Sequence, residues 1–437
     1  MRPVSRGIDR IAVTFDEDNL VANAGLLLVA TVVKKLGLEA LVNTLVRIPS
    51  KRGGFQPGRK VLTLVHAMVA GASHIDHADV LRAGASDQVL AHRVMAPSTL
   101  GTFLRGFTFG HLRQLDAVLD VAVGRAWSLM RLPARLVVDL DSTICEVSGK
   151  LKAGASYGYT KVLGYHPLLA TRADTGEVLH ARMRKGSANT QRGAKRFVEE
   201  LVARLRRAGA AGEIVLRMDS GFWSKETMET MTRLGVSFTM AVRTGNVAIA
   251  RAISRIGEGA WVPIDYTCDG EAQVAETTYK SMRLVVRRTR LTGAQATLWP
   301  DWRHFGFLTD LAGPATELDA FHRRHALVEL DIRDLKEGAG MEHCPSGNFW
   351  ANGAWLACAV LAHNLIRWTQ ILGELEDVET EQRPVVARTL RTRFISMPGR
   401  LVNRSGTPTL RAPTSWPWRR SFACSLDTLR NLAVAVT

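Results

Sequence analysis

Three carboxylates in this chain are set where they could do chemistry. Asp141 closes Arg135-Leu-Val-Val-Asp-Leu-Asp-Ser-Thr143, whose apolar residues predict a short buried strand over 136–140 that ends by pushing acidic groups into the open. Asp219 closes Glu213-Ile-Val-Leu-Arg-Met-Asp-Ser-Gly221, a second apolar strand ending in a glycine turn. Glu329 lies among basic residues in the segment 321–336, which reads as a helix. Two strand-end aspartates and a helix glutamate are oxygen donors for hard divalent cations. Two such ions, Mg²⁺ or Mn²⁺, can activate a nucleophile and stabilise the leaving oxygen of an in-line phosphoryl displacement. Few carboxylates suffice, because water and phosphate complete the shell. Each residue alone has a plainer reading: Asp219 as a turn aspartate, Glu329 as an exposed helix residue paired with Arg333 at i+4. Asp139 competes with Asp141, since strand alternation puts both on one face. Asp141 is preferred because it lies at the strand end, before Ser142-Thr143.

The three acids are far apart in sequence, so a fold must bring them together. Residues 134–243 alternate strand and helix. After the first strand come the hairpin pieces 164–170 and 178–183 around Asp174-Thr-Gly176, a helix over 190–207, strand 213–218, helix 224–234 and strand 237–242. That order predicts an α/β sheet with helices on its faces. Residues 244–315 turn β-like and form a β-rich insertion. Residues 316–373 return to helix, over 317–336 and 350–372. On an unbroken helix, His325, Glu329, Arg333 and Lys336 would share one face. Residues 1–133 are mostly helical. Ser98 or Thr99 is set to cap a helix there, and a helix-turn-helix with Thr99, Thr102 and Arg105 toward DNA competes with a plain bundle. His74, Asp76, His77 and Asp79 resemble a metal cluster, but a helix start rich in Asp and His explains them equally well.

The chain carries a net charge of +16 over 437 residues, which points to a polyanionic partner. In the C-terminal region, 374–437, an acidic linker over 374–381 precedes the stretch 388–420, which holds eight arginines and neither lysine nor acid. Its strand-like pieces, 394–402 and 407–411, suggest a basic hairpin for a phosphate backbone, with Arg391, Arg393, Arg400 and Arg404 as contacts. An arginine-protected sheet edge is the alternative. The five cysteines, Cys145, Cys268, Cys344, Cys358 and Cys424, are scattered without a CxxC pair, as in a reducing cytoplasm. No signal peptide is expected, and the apolar run 354–366 is too short to span a membrane and reads as a buried helix.

The set Val138-Asp-Leu-Asp-Ser-Thr143, Tyr165-His-Pro167, Arg184-Lys-Gly-Ser-Ala-Asn189, Met218-Asp-Ser-Gly-Phe222, the helix from Glu329 to Lys336 and Cys344-Pro-Ser-Gly347 resembles the bacterial insertion-sequence DDE transposases. The nearest group is insertion sequence family thirteen-eighty, within the wider cut-and-paste, hairpin-forming group. The resemblance implies an RNase H-like catalytic core interrupted by a β-rich insertion, in which the first strand is central and the fourth lies beside it. It implies Asp141, Asp219 and Glu329 as the metal triad, and DNA, both terminal inverted repeats and target, as partner of a homodimer. It also implies a cytoplasmic, nucleoid-associated bacterial protein. The family's last helix carries a tyrosine, an arginine, the glutamate and a lysine. Here His322 and His325 take the first two places and Lys336 the last, which leaves Arg323 or Arg324 to supply the missing guanidinium. Arg324, His325, Arg333 and Lys336 are thereby expected at the scissile phosphates, and Trp261, Trp299 or Trp302 could stack on a flipped base. The rival readings are another metal nuclease, such as a resolvase, and a DNA-binding protein with a dead site.

Overall fold

The computed structural model describes residues 11–50, 53–158, 160–266, 270–291, 302–375 and 384–435. Its centre is one nine-stranded mixed sheet. In chain order the strands are β1 (Arg135–Ser142), β2 (Leu168–Arg172), β3 (Val178–Arg182), β4 (Glu213–Met218), β5 (Ser237–Val242), β6 (Val262–Ile264), β7 (Gly270–Tyr279), β8 (Met282–Leu291) and β9 (Arg303–Thr309). Their order across the sheet is β6-β7-β8-β9-β5-β4-β1-β2-β3. β1 therefore lies inside the sheet, antiparallel to β2 and parallel to β4, and β4 runs parallel to β5. The helices Ala194–Arg207 and Lys225–Arg233 make the two crossovers.

Period-two alternation gives β1 and β4 two different faces. Leu136, Val138 and Leu140, with Ile214, Leu216 and Met218 beside them, enter the main core. Val137 and Val215 point the other way and pack in a second cluster with Phe307, Leu318 and Phe321. Asp139, Asp141 and Arg217 follow on this second face, under the helix Ala315–Arg323. The segment 244–315 is β-rich, but its strands build no sheet of their own. β9 returns to pair antiparallel with β5, so the segment prolongs the central sheet.

The expected helix over 317–336 is not a single α-helix. It runs as an α-helix to Arg323, tightens to a 3₁₀ turn at Arg324–Leu327, resumes as an α-helix at Val328–Arg333 and widens to a π-turn at Asp334–Gly338. The first change has a visible cause. Arg217 Nη1 donates to the Phe321 carbonyl at 2.8 Å, the acceptor that a continuous α-helix offers to the His325 N–H. At the second, Asp334 is drawn into the core by Arg367 Nη2 and the Ala387 N–H, both at 2.8 Å.

The helix Phe349–Leu372 matches the expected 350–372 to within one residue and extends beyond the apolar run on both sides. It is long and apolar enough to cross a membrane, yet 83% of its most apolar window is buried inside the protein. The helices Leu26–Lys35, Pro57–Val69, Pro97–Arg105 and Phe109–Trp127 pack around it, and it joins this helical region to β3. Asn364 makes the join: its amide accepts from the Val178 N–H and donates to the Val178 carbonyl, each at 2.8 Å. Beside it the fully buried Glu177 receives the indole N–H groups of Trp127 and Trp368. The helix at Pro97 starts one residue before the expected cap and has Ala96 in the cap position, since proline is preorganised for the first turn. It buries Leu100, Phe103 and Leu104 and exposes Thr102 and Arg105, with Thr99 half-buried. Expected strand 394–402 begins only at Gly399: Leu390, Phe394 and Ile395 are buried on a helical spacing, in a helix at Ala387–Leu390 that continues as a π-turn to Ile395.

Replacing Asn364 with Ala leaves a buried N–H and a buried carbonyl of Val178 unpaired. It is expected to destabilise the protein by about 2–4 kcal/mol, read from the urea midpoint at constant slope.

Candidate metal centre at two strand ends

The register places the aspartates. Asp139 lies opposite Arg217 and Leu140 opposite Met218 in the parallel β1–β4 ladder, so Asp141 and Asp219 are each the next residue beyond the last pair. Parallel neighbours are about 4.8 Å apart, and both side chains belong to the face covered by the 315–338 segment. Asp219 Oδ1 caps its own turn by accepting the Gly221 N–H at 3.0 Å. Asp141 Oδ1 accepts the adjacent Ser142 N–H at 2.6 Å.

Asp139 has a different setting. It is 2% exposed and gripped by Arg217, with Nε to Oδ1 at 2.8 Å and Nη2 to Oδ2 at 2.7 Å. His325 Nδ1 donates to Asp139 Oδ1 at 2.8 Å. Asp139 is thus committed to holding a neighbouring strand and the 3₁₀ turn, while Asp141 stands at the open end. Arg217 escaped the sequence reading. Its signal was a cation in an otherwise apolar strand, two residues before Asp219 and therefore on the same face.

Burial pushes the Asp141 carboxyl up to about 6, and the charges of Asp219 and Glu329 push it the same way, against the Ser142 N–H and His325. Asp219 is also raised, first by burial, with the Gly221 N–H and His325 opposing. Asp141 therefore feels both of the other acids. Glu329 is exposed on the short helix after the 3₁₀ turn, and Arg324 and Arg333 are exposed as well. Lys336, within the π-turn, curls back to donate from Nζ to the Ile144 carbonyl at 2.8 Å, three residues past Asp141. His325, Glu329, Arg333 and Lys336 thus do not share the single face of a straight helix, because two of the turns between them are not α-helical. His322, in the family's tyrosine place, is stacked on Phe307 and bonded to Thr239 at 2.7 Å, and burial lowers it to about 3.

The donor set consists of carboxylate oxygens without a thiol, which suits Mg²⁺ or Mn²⁺. Among the described residues no group of three His, Cys, Asp or Glu is drawn close enough to hold a metal ion. The same holds for His74, His77 and His343, whose rings nonetheless gather across two segments.

The other expected DNA contacts divide. Arg391 is not a free surface cation: it is half-buried and its guanidinium donates to the carbonyls of Val69, Met68 and Gly338, tying the helical region to the π-turn. Arg393 lies against the Trp418 ring. Arg400 and Arg404 are exposed on a hairpin, Gly399–Arg404 with Thr407–Arg411, whose first strand also pairs with Leu20–Val21. Arg400 forms an ion pair with Glu17 at 2.8 Å. Trp261 and Trp302 sandwich Arg288, whose guanidinium carbon lies 4.2 and 4.4 Å from their centroids; Trp299 lies outside the described residues.

The model of a family described as "Transposase DDE domain group 1" matches residues 5–434, and the chain belongs to that family of DDE transposases. No curated protein matches. Among solved structures, the cryo-EM structure of a piggyBac transposase synaptic complex with hairpin DNA is similar over 86% of this chain and 80% of that one, with 13% identity and a TM-score of 0.42.

The raised Asp141 makes a pH prediction. A carboxyl whose folded pKa exceeds its unfolded value costs stability once ionised, and the cost grows as pH rises from about 4 to about 6. Asp141→Asn in metal-free buffer should stabilise the protein by about 1–2 kcal/mol at pH 7–8, a figure discounted for the partial exposure of the group. The gain should shrink toward pH 4. Thermal unfolding across that range measures it, and a gain independent of pH would assign the effect to packing instead.

Proposed function

We propose that this DDE transposase cuts and joins DNA by metal-dependent cut-and-paste transposition, on an RNase H-like core. The observation that carries the reading is the register that sets Asp141 and Asp219 at adjacent parallel strand ends, with Glu329 near enough for its charge to act on Asp141. In this reading Asp141, Asp219 and Glu329 hold two Mg²⁺ or Mn²⁺ ions. When bound, such ions supply Lewis acidity toward the attacking and leaving oxygens of the phosphodiester. Asp139, fixed by Arg217, presents His325 beside the acids, and the exposed Arg324 and Arg333 meet the flanking phosphates. Lys336 holds the backbone after Asp141 and stands next to the same phosphates. The exposed arginines of the 399–411 hairpin, Arg400 and Arg404 among them, bind the DNA backbone at the terminal inverted repeats, and two copies bring the ends together. Arg391 is left out of the contact set.

Asp141→Ala, Asp219→Ala and Glu329→Ala should each abolish end cleavage while leaving affinity for the inverted repeat nearly unchanged, because affinity comes from cations elsewhere. A cleavage assay beside a gel-shift titration tests this. Normal cleavage by Asp141→Ala would remove the central residue of the reading.

A second measurement concerns the hairpin. Arg400→Glu with Arg404→Glu should weaken binding and flatten its salt dependence, by about 0.9 in log–log slope for each phosphate that is no longer neutralised. An unchanged slope would make the hairpin a structural edge only.

A further inference from the structure

Two motifs singled out in the sequence, Tyr165-His-Pro167 and Arg184 to Asn189, are not used by the carboxylates themselves. The structure folds them into one network behind the two aspartates. His166 is fully buried between β1 and the loop after β3. Its Nδ1 lies 2.6 Å from the Ala188 carbonyl and its Nε2 lies 3.0 Å from Ser142 Oγ. A carbonyl only accepts, so Nδ1 carries the proton. In the neutral ring, which burial favours, Nε2 is then an acceptor and the Ser142 hydroxyl donates to it. Ser142 Oγ is also 3.0 Å from Thr190 Oγ1. With the Ser142 proton committed to His166, Thr190 must be the donor in that contact. The order is therefore determined throughout: Thr190 to Ser142, Ser142 to His166, His166 to the backbone.

Two members of this chain of bonds, Ser142 and Thr190, reach the metal centre. Ser142 directly follows Asp141, and its own N–H is the one that Asp141 Oδ1 accepts. Thr190 packs on the turn after Asp219 so closely that a Cβ on Gly221 would meet the Thr190 Cβ at 2.9 Å. The loop that carries Thr190 is itself gathered by Arg184, which donates to the carbonyls of His166, Asn189 and Arg192 at 2.8, 2.8 and 2.9 Å. Strand β1 and the Asp219 turn are thereby tied to one imidazole on the side away from Glu329.

We propose that His166 is a positioning residue that, through Ser142 and Thr190, sets the spacing of Asp141 and Asp219 for binding a divalent cation. The inference rests on the metal site proposed above. His166 touches neither substrate nor metal, so its removal is expected to lower cation affinity rather than DNA affinity.

The test is Mn²⁺ binding to the full-length protein, followed by electron paramagnetic resonance, with inverted-repeat affinity and thermal unfolding measured on the same samples. His166→Ala should weaken Mn²⁺ binding by about tenfold or more, as loss of an orienting partner behind a metal ligand does, with DNA affinity unchanged. His166→Gln, whose amide oxygen can accept from Ser142, should recover part of the loss. Wild-type Mn²⁺ affinity in a folded His166→Ala would overturn the inference. Should that variant fail to fold, Ser142→Ala and Thr190→Val remove the same bonds without opening a cavity of that size. A loss in either supports the proposal, and unchanged affinity in both overturns it. Asp141→Ala separates the two levels: if it also leaves Mn²⁺ binding intact, the metal site itself is wrong, whereas a loss there with no loss at His166 sinks only the positioning role.

Discussion

The buried pair of Asp139 and Arg217 is the contact on which the site depends. It joins β1 to β4 one pair below the open strand ends, and the same guanidinium takes the Phe321 carbonyl from the helix above. Buried ion pairs add little stability over an apolar replacement, but removing one partner strands the other and costs about 3–5 kcal/mol. What the pair provides here is registration. One arginine sets the stagger of two strands, the place where the covering helix tightens, and through Asp139 the orientation of His325. An apolar pair would pack as well and would specify none of these.

Above that pair, Asp141 and Asp219 stand at the strand ends. Burial and the neighbouring carboxylates raise Asp141, so the free protein stores electrostatic cost where a cation would relieve it. The compensating donors to Asp141 and Asp219 are mostly backbone: the Ser142 N–H for Asp141, the Gly221 and Phe222 N–H groups for Asp219, with His325 and Arg243 as nearby charges. Contrast Glu200, away from this site. It is met by Arg113, Arg182, Arg196 and His180 and held well below the usual carboxylate range. Two kinds of acid thus coexist in one domain. One is saturated by arginines and ties helices to the sheet, and the other is left under-partnered at a strand end.

Local pattern made much of this visible in advance. Strands 213–218 and 237–242 fall where alternation and turn residues place them, and the amphipathic helix before them differs only at its start. Asp141 and Asp219 could be picked because each ends an apolar run. Whatever depends on a distant partner was hidden. The break in the helix of Glu329 comes from an arginine on β4, and Arg391 is turned inward because carbonyls at Met68, Val69 and Gly338 await it. Composition alone made it look like its seven neighbouring arginines. The β-rich segment was legible as strands but not in its pairing. Its own turns define the hairpin of β7 and β8, but only the return of β9 to β5 shows that the segment belongs to the central sheet.

That prolonged sheet has two margins, and neither invites another strand. At one end β6 is three residues long and has Pro263 at its middle, a residue without an N–H to donate. At the other, β3 is covered by Phe109–Trp127 and Phe349–Leu372, and Asn364 already occupies both backbone groups of Val178. Such closed margins guard a sheet against edge-to-edge pairing with another chain. Chance encounters between sheets, which would propagate without limit, find no ladder to extend, and association is left to side-chain surfaces that can be specific.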